Sequence, residues 1–585
     1  MNTLVLENLL NKERNLSQRK LALKLGVSLG KVNEKIRELK RNGFVDLKNN
    51  VTEKGKKFLK DRRPQRAIIL AAGYGMRMVP INMEEPKGLL EVNQEPLIER
   101  LIKQLHKVGV YEIHIVVGFM KEHYEYLIDR YNVELIVNSH YGEYKNMYSL
   151  FLAKNQLAKS YILPCDVWFK KNPFNSIEEE SYYLFSDQAV NNSSWKVQPR
   201  GGVKKIPLDQ FGNRMVGLAY INSKDAEMIS QLLEEIQINK ELLHSFWEKL
   251  LEQDKKFILK GKIISNGDFK EINSYEELRD LDYNSNHLQN DAIKIIAETL
   301  EISPKKIKNI RVLKKGMTNR SFFFEHDSNK YIMRIPGKGT DELIDRQSEY
   351  DVYRTIKNMN WTEKVLYLNP DNGYKLSKFI KNSHNCDKNN SEQVQECMDL
   401  LRKLHHSVFK VNHRFDLYNQ IDFYEELRGN VSAYRDYDEV KERVKKLRPF
   451  IEKNAKKEVL CHIDANPDNF IFSKNHVYLI DWEYAGMQDQ HIDISMFAIY
   501  SLYDREDVEK LIDAYFDGQC KDLVRIKIYA YIAICGLLWS NWCEYKRNLG
   551  VEFGEYSLKQ YRYAKEYYRI VKETLEERGM KLCTK

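Results

Sequence analysis

The segment that most constrains this chain runs Val459-Leu460-Cys461-His462-Ile463-Asp464-Ala465-Asn466-Pro467-Asp468-Asn469, then Val477-Tyr478-Leu479-Ile480-Asp481-Trp482-Glu483-Tyr484. It reads as apolar strand, polar loop, apolar strand and acidic end. Asp464 and Asn469 stand five apart in one loop, and Asp481 follows the second strand. Phosphoryl transfer asks for this set. One Asp takes or orients the proton of the attacking hydroxyl, an Asn holds a metal, and a second Asp bridges Mg²⁺ to the phosphates. The plain alternative is a polar hairpin between buried strands. His-x-Asp alone fits that, but the full set with its Asp-Trp-Glu-Tyr continuation is far more specific.

These residues resemble the catalytic and metal-binding segments of the choline kinase and aminoglycoside phosphotransferase families, relatives of protein kinases. The run Asp481 to Gly486 resembles the choline and ethanolamine kinase branch. The resemblance implies an α+β, two-lobed, protein kinase-like domain over residues 290–585 that uses ATP and Mg²⁺. Ile310–Leu313 and Ser321–Glu325 then form a hairpin over ATP, with Gly316, Thr318 and Asn319 at its turn. Arg334 stands where a kinase usually has Lys, and Arg can clamp phosphate. Glu349 is the helix acid expected to pair with it. Trp539 and Trp542 share a helix face. With Trp482 and Tyr484 they either box a trimethylammonium group or pack a core. Asp489 and Asp493 read as structural.

A second constellation lies upstream. Strand Arg66–Ala72 leads into Gly73-Tyr74-Gly75-Met76-Arg77-Met78, and Glu85-Pro86-Lys87-Gly88-Leu89-Leu90 follows. Ala71, Ala72, Gly73 and Gly75 let the backbone approach a triphosphate, while Arg77 and Lys87 supply positive charge. Helix and strand then alternate: Pro96–Val108, Ile113–Gly118, Glu134–Asn138, Ser149–Ala158 and Tyr161–Asp166. The set closely resembles the nucleotidyltransferases that activate sugars and phosphocholine, implying a Rossmann-like α/β domain over residues 66–285. That resemblance assigns Asp166 to Mg²⁺. A second metal carboxylate is expected where this chain has Asn273, so Glu271 or Asp268 would substitute. Asn138, Tyr141, Asn146, Tyr148, Ser149 and Trp168 resemble the phosphocholine cytidylyltransferases, implying CTP and phosphocholine as substrates. Tyr141, Asn146 and Trp168 are the substrate candidates.

Residues 1–62 form a third, basic unit. Three helices are predicted, with Ser17 and Ser28 as caps and Gly26 and Gly43 as stops. Val32, Ile36 and Leu39 give the third helix a buried face, and Lys31, Lys35, Arg37, Lys40 and Arg41 a basic one. Two short strands, Phe44–Leu47 and Val51–Glu53, complete a pattern resembling a winged helix-turn-helix (α+β). The basic face reads either as a DNA-binding surface or as a solvated face on a domain used for dimerisation, which leaves a homodimer open.

The chain of 585 residues is too long for one core, and its net charge of +9 suits handling of anionic phosphates. The eight cysteines are scattered singly, without zinc spacing. No apolar run of about 18 residues appears, so no membrane is expected and the setting is expected to be cytoplasmic. The reading is a multidomain bifunctional enzyme that phosphorylates choline with ATP and then joins phosphocholine to CTP. Three alternatives stay open: ethanolamine as the alcohol, a sugar kinase fused to a sugar nucleotidyltransferase, or a DNA-binding regulator with ligand-sensing domains.

Overall fold

The computed structural model describes residues 2–10, 17–81, 85–191, 193–207, 209–238, 240–252, 259–313, 319–337, 343–429, 431–474, 476–551, 553–580 and 582. Gly316 and Thr318 lie outside the described residues, and only the backbone of Asn319 is described. The chain divides into two compact units, Met1–Lys294 and Ile295–Lys585.

The first unit opens with the basic head. Ser17 accepts from the Lys20 N–H and Ser28 from the Lys31 N–H, starting helices Gln18–Leu25 and Leu29–Arg41. Gly26, at φ +62°, ends the former in the left-handed region that Gly tolerates best. The expected pair of strands is reduced to one bridge between Val45 and Val51. The reason is local: Thr52 accepts from the Gly55 N–H and opens a fourth helix, Glu53–Lys60. Leu59 of that helix is buried with Val5, Leu6, Val32, Ile36 and Leu39. The same cluster takes in Ile177 from the sheet domain that follows.

That domain is built on a seven-stranded sheet in the order Lys260–Ile264, Tyr182–Val190, Gly212–Ile221, Ser160–Pro164, Arg66–Ala71, Glu112–Val117 and Glu134–Val137. Arg66–Ala71 pairs in parallel on both sides, so Ala67 to Ala71 are buried and read as a continuous apolar run. Gly212–Ile221 runs antiparallel to both its neighbours. Apolar clusters cover both faces of the sheet, which fixes the loops at its strand ends. The helix expected over Ser149–Ala158 starts earlier, at Asn146, and stops at Leu152; a 3₁₀ turn, Lys154–Gln156, follows.

The second unit is kinase-like. An antiparallel five-stranded sheet, ordered Lys308–Val312, Asn319–His326, Asn329–Pro336, Lys375–Lys378 and Val365–Leu368, accompanies helix Arg346–Ile356. A helical lobe follows, centred on helices Asp522–Asn548 and Glu555–Glu577. Helix Asp522–Asn548 is long and apolar enough on average to span a membrane, although Ser540 and Asn541 interrupt its apolar run. Its apolarity is used in packing, since Ile526 to Lys546 are buried in the lobe's core.

Candidate active sites

In the first unit, strand Arg66–Ala71 delivers the glycine loop. Gly75 sits at φ +58°, and a Cβ there would stand 3.5 Å from the Cβ of Lys87. It is the positive φ, rather than lack of space, that favours glycine where the loop meets the lysine-bearing turn. The Lys87 ammonium bonds the Asp166 carboxylate and donates to the Asn273 amide oxygen at 2.8 Å. Arg77 donates to the same amide oxygen at 3.3 Å. The other Asp166 oxygen, Oδ1, is buried and has no hydrogen-bond partner. An unsatisfied buried carboxylate oxygen beside two cationic side chains fits a divalent ion bound with phosphates. Glu271, expected as the second carboxylate, instead faces Arg214 at 3.3 Å, and Asp268 faces Lys171 at 3.3 Å. Asn273 is what the chain places beside Lys87.

The three expected acceptor residues have separate neighbours. Tyr141 packs on Tyr74 of the glycine loop, ring centroids 4.9 Å apart. Asn146 accepts from the Trp247 N–H at 2.8 Å, a structural bond. Trp168 lies under the Arg100 guanidinium, 5.0 Å away. A different pocket, of about 290 Å³, brings together Trp195, Met215, Phe246 and Glu248, with Lys145 and Lys249. Tyr183 donates to Glu248 at 3.1 Å. Burial, outweighing that bond and helped by the nearby Glu271 charge, pushes the Glu248 carboxyl up to about 7. Aromatic faces around a carboxylate suit an organic cation. Trp195 lies far in the chain from Phe246 and Glu248, and the three belong to no local motif, so the sequence offered no signal for them.

In the second unit, the Asp464 and Asn469 side chains are joined directly, Nδ2 donating to Oδ2 at 2.9 Å. The Ile480 N–H donates to Asn469 O at 3.0 Å, tying the loop to the end of strand His476–Leu479, just before Asp481. Beneath them, Asp493 accepts from the backbone N–H groups of His462 at 2.9 Å and Ile463 at 2.7 Å. Ile463 is held at φ +65° and Asp481 at φ +67°, conformations costly for non-glycine residues. Burial raises the Asp464 carboxyl, opposed by a hydrogen bond from Tyr500.

Arg334 makes a two-pronged bond to Glu349, at 2.5 and 2.7 Å, and its Nη1 lies 3.7 Å from Asp481. Lys375, its cross-strand neighbour, lies 3.9 Å from Asp481. Asp481 Oδ1 is buried without a hydrogen-bond partner, so it too fits a bound cation. Glu483, buried beside Asp481, is pushed up to about 8 by burial first and by the Asp481 charge second.

Tyr484 and Tyr500 both pack edge-on against Trp539, at 6.1 and 5.7 Å, and Trp542 lies 6.0 Å from Trp539. Trp482 does not join them. Its N–H donates to Thr362 and to Leu479 O, and its ring packs on Trp361 and His462. Tyr500, which bonds Asp464, takes the place expected for Trp482. The backbone reversal at Asp481 turns the next side chain into the core.

The matching family models are a choline/ethanolamine kinase over residues 310–515, a MobA-like NTP transferase domain over 67–176 and a winged helix-turn-helix DNA-binding domain over 5–46. A choline-phosphate cytidylyltransferase of Streptococcus pneumoniae is 32% identical over 221 residues, which are 37% of this chain and 96% of that protein. Protein LicA of Haemophilus influenzae KW20 is 26% identical over 261 residues, 42% of this chain and 96% of that protein. A crystal structure of choline kinase LicA from Streptococcus pneumoniae is 27% identical, covering 47% of this chain and 98% of its own, with a TM-score of 0.43.

Proposed function

This chain belongs, through its middle region, to the family of the pneumococcal choline-phosphate cytidylyltransferase, and we propose that it converts choline to CDP-choline in two steps. The observation that carries the reading recurs in both units: each holds a cluster of phosphate-handling residues and an aromatic cluster with a carboxylate. In the first unit these are Trp195, Phe246 and Glu248, and in the second Tyr484, Tyr500 and Trp539 next to Asp464. A quaternary ammonium donates no hydrogen bond, so aromatic faces and a nearby negative charge are what recognises it.

In the kinase step the choline hydroxyl attacks the γ-phosphorus of ATP and ADP leaves. Asp464 orients the hydroxyl and takes its proton, and Asn469 fixes that carboxylate. The Arg334–Glu349 pair ties the sheet to helix Arg346–Ile356 and faces Asp481. In the transferase step the phosphocholine phosphate attacks the α-phosphorus of CTP and pyrophosphate leaves. The nucleophile is already ionised, so positioning and the Lys87 and Arg77 charges carry the step. Mg²⁺, which Asn469 and Asp481 would hold in one site and Asp166 in the other, would neutralise phosphate charge. Neither step forms a covalent enzyme intermediate.

Residues 1–62 carry sixteen Lys and Arg against seven Asp and Glu, the whole of the chain's formal excess of +9. That concentration supports DNA binding by the head. Seven described cysteines are free thiols, which supports a reducing, cytoplasmic setting.

Phosphorus NMR of the full chain with choline, ATP, CTP and Mg²⁺ tests the reading. Phosphocholine should appear first and CDP-choline second. Asp464→Asn should make neither, and Asp166→Asn should stop at phosphocholine. Turnover of ethanolamine or a sugar in place of choline would keep the chemistry and overturn the substrate. No turnover of any of them would favour a DNA-binding regulator.

A further inference from the structure

A cavity of about 970 Å³ lies in the second unit. Its walls are the end of helix Arg346–Ile356, the edge strand Val365–Leu368 and the segment 378–381. Neither Asp464, Asn469 nor Asp481 lines it, and nor does the Tyr484–Trp539 cluster. Its volume is at the upper end of the range of small-molecule sites.

The charge of the lining is one-sided. Five basic side chains line the cavity, among them Lys357, Lys364 and Lys378, against a single acid, Glu363. Glu363 is buried and already satisfied: the Lys375 ammonium lies 3.1 Å away, and the Thr362 hydroxyl donates to it at 2.8 Å. It therefore cancels none of the rim charge. Lys357, Lys364 and Lys378 are exposed at the mouth. Tyr367 and Tyr478 supply flat apolar walls. Cations around aromatic faces in a roomy, half-open cavity match a ligand with two or more negative charges and a planar ring.

We infer that this cavity is a second nucleotide-binding site on the kinase unit, for a phosphorylated ligand with an aromatic base. Its floor meets the phosphoryl-transfer site. Lys375, which holds Glu363, also lies 3.9 Å from Asp481 and 4.0 Å from Glu349. A ligand in the cavity thus bears on the same buried pair that faces Asp481.

The test is isothermal titration of the full chain with CDP while β,γ-imido-ATP saturates the ATP site. The comparison is a Lys357→Gln, Lys364→Gln variant, which removes charge at two exposed positions and adds none. Wild type should bind one more CDP than the variant, or bind it at least tenfold more tightly, with both proteins melting at the same temperature. Inorganic phosphate should displace that extra CDP and cytidine should not. Identical titrations of wild type and variant would overturn the inference, as would displacement by cytidine alone. Neither result depends on choline turnover, so failure here is separate from failure of the proposed activity.

Discussion

At the scale of single residues, the transferase pocket makes a pH prediction. The Glu248 carboxyl is raised to about 7 by burial. It attracts an organic cation only when ionised, so acceptor binding should strengthen as pH rises through 7. Lys145 and Lys249 line the same pocket and stay charged over this range. The ionised fraction changes roughly fourfold between pH 6.5 and 8, and KM for phosphocholine should fall by about that factor. Glu248→Gln should flatten the profile. A variant that keeps the wild-type profile would remove Glu248 from the role. The stability effect has the opposite sense. A carboxyl raised above its unfolded value stabilises the fold fully below that value, and the contribution is lost as pH rises through 7. Motif reading could not reach Glu248, because Tyr183 and Trp195, which meet it in the fold, lie far from it in the chain. Asn273 was visible only as a departure from an expected Asp, and only the fold shows its amide oxygen receiving Lys87 and Arg77.

Elements were legible where one face or one cap decided them. The capped helices of the head and the buried parallel strands follow from local pattern alone. The wing did not, because Thr52 caps a helix more effectively than Val51–Glu53 pairs as a strand. The central kinase helix, Asp522–Asn548, gives a case where local and tertiary effects oppose. Gly536 sits inside it, where Ala would improve helix propensity by about 1 kcal/mol. A Cβ at that position, however, would stand 2.7 Å from Gln560 O and 2.8 Å from the Tyr563 Cβ. Both belong to helix Glu555–Glu577, and overpacking of this kind costs about 1–3 kcal/mol. Gly536→Ala should therefore lose stability on balance, seen as a lower urea midpoint with an unchanged slope. A raised midpoint would mean that the two helices part easily. The sequence placed Trp539 and Trp542 on one helix face but did not show the second helix crossing at Gly536.

At the scale of the whole molecule, charge is the property that single sites do not express. The head carries the chain's entire formal excess, so residues 63–585 are balanced. Not all of that charge is available to a polyanion. On helix Leu29–Arg41, Lys35 is paired with Glu38, and Lys40 donates to the Leu47 carbonyl. Glu38 lies on the same helix as Arg37 and Arg41, and its bonds go to Lys35 and Asn2. Arg37 and Arg41 are therefore the better probes of a DNA-binding face. Each phosphate neutralised releases counterions, so retention of duplex DNA by the full chain should fall linearly on a log–log plot against salt. Arg37→Ala with Arg41→Ala should reduce the slope by about 2 and weaken retention at 100 mM salt by at least tenfold. Both rates measured by phosphorus NMR should stay at the wild-type value, because neither residue belongs to an active site. If the variant retains DNA as wild type does but changes its sedimentation coefficient, the basic helix serves self-association, and the excess charge of the head is a solvated face.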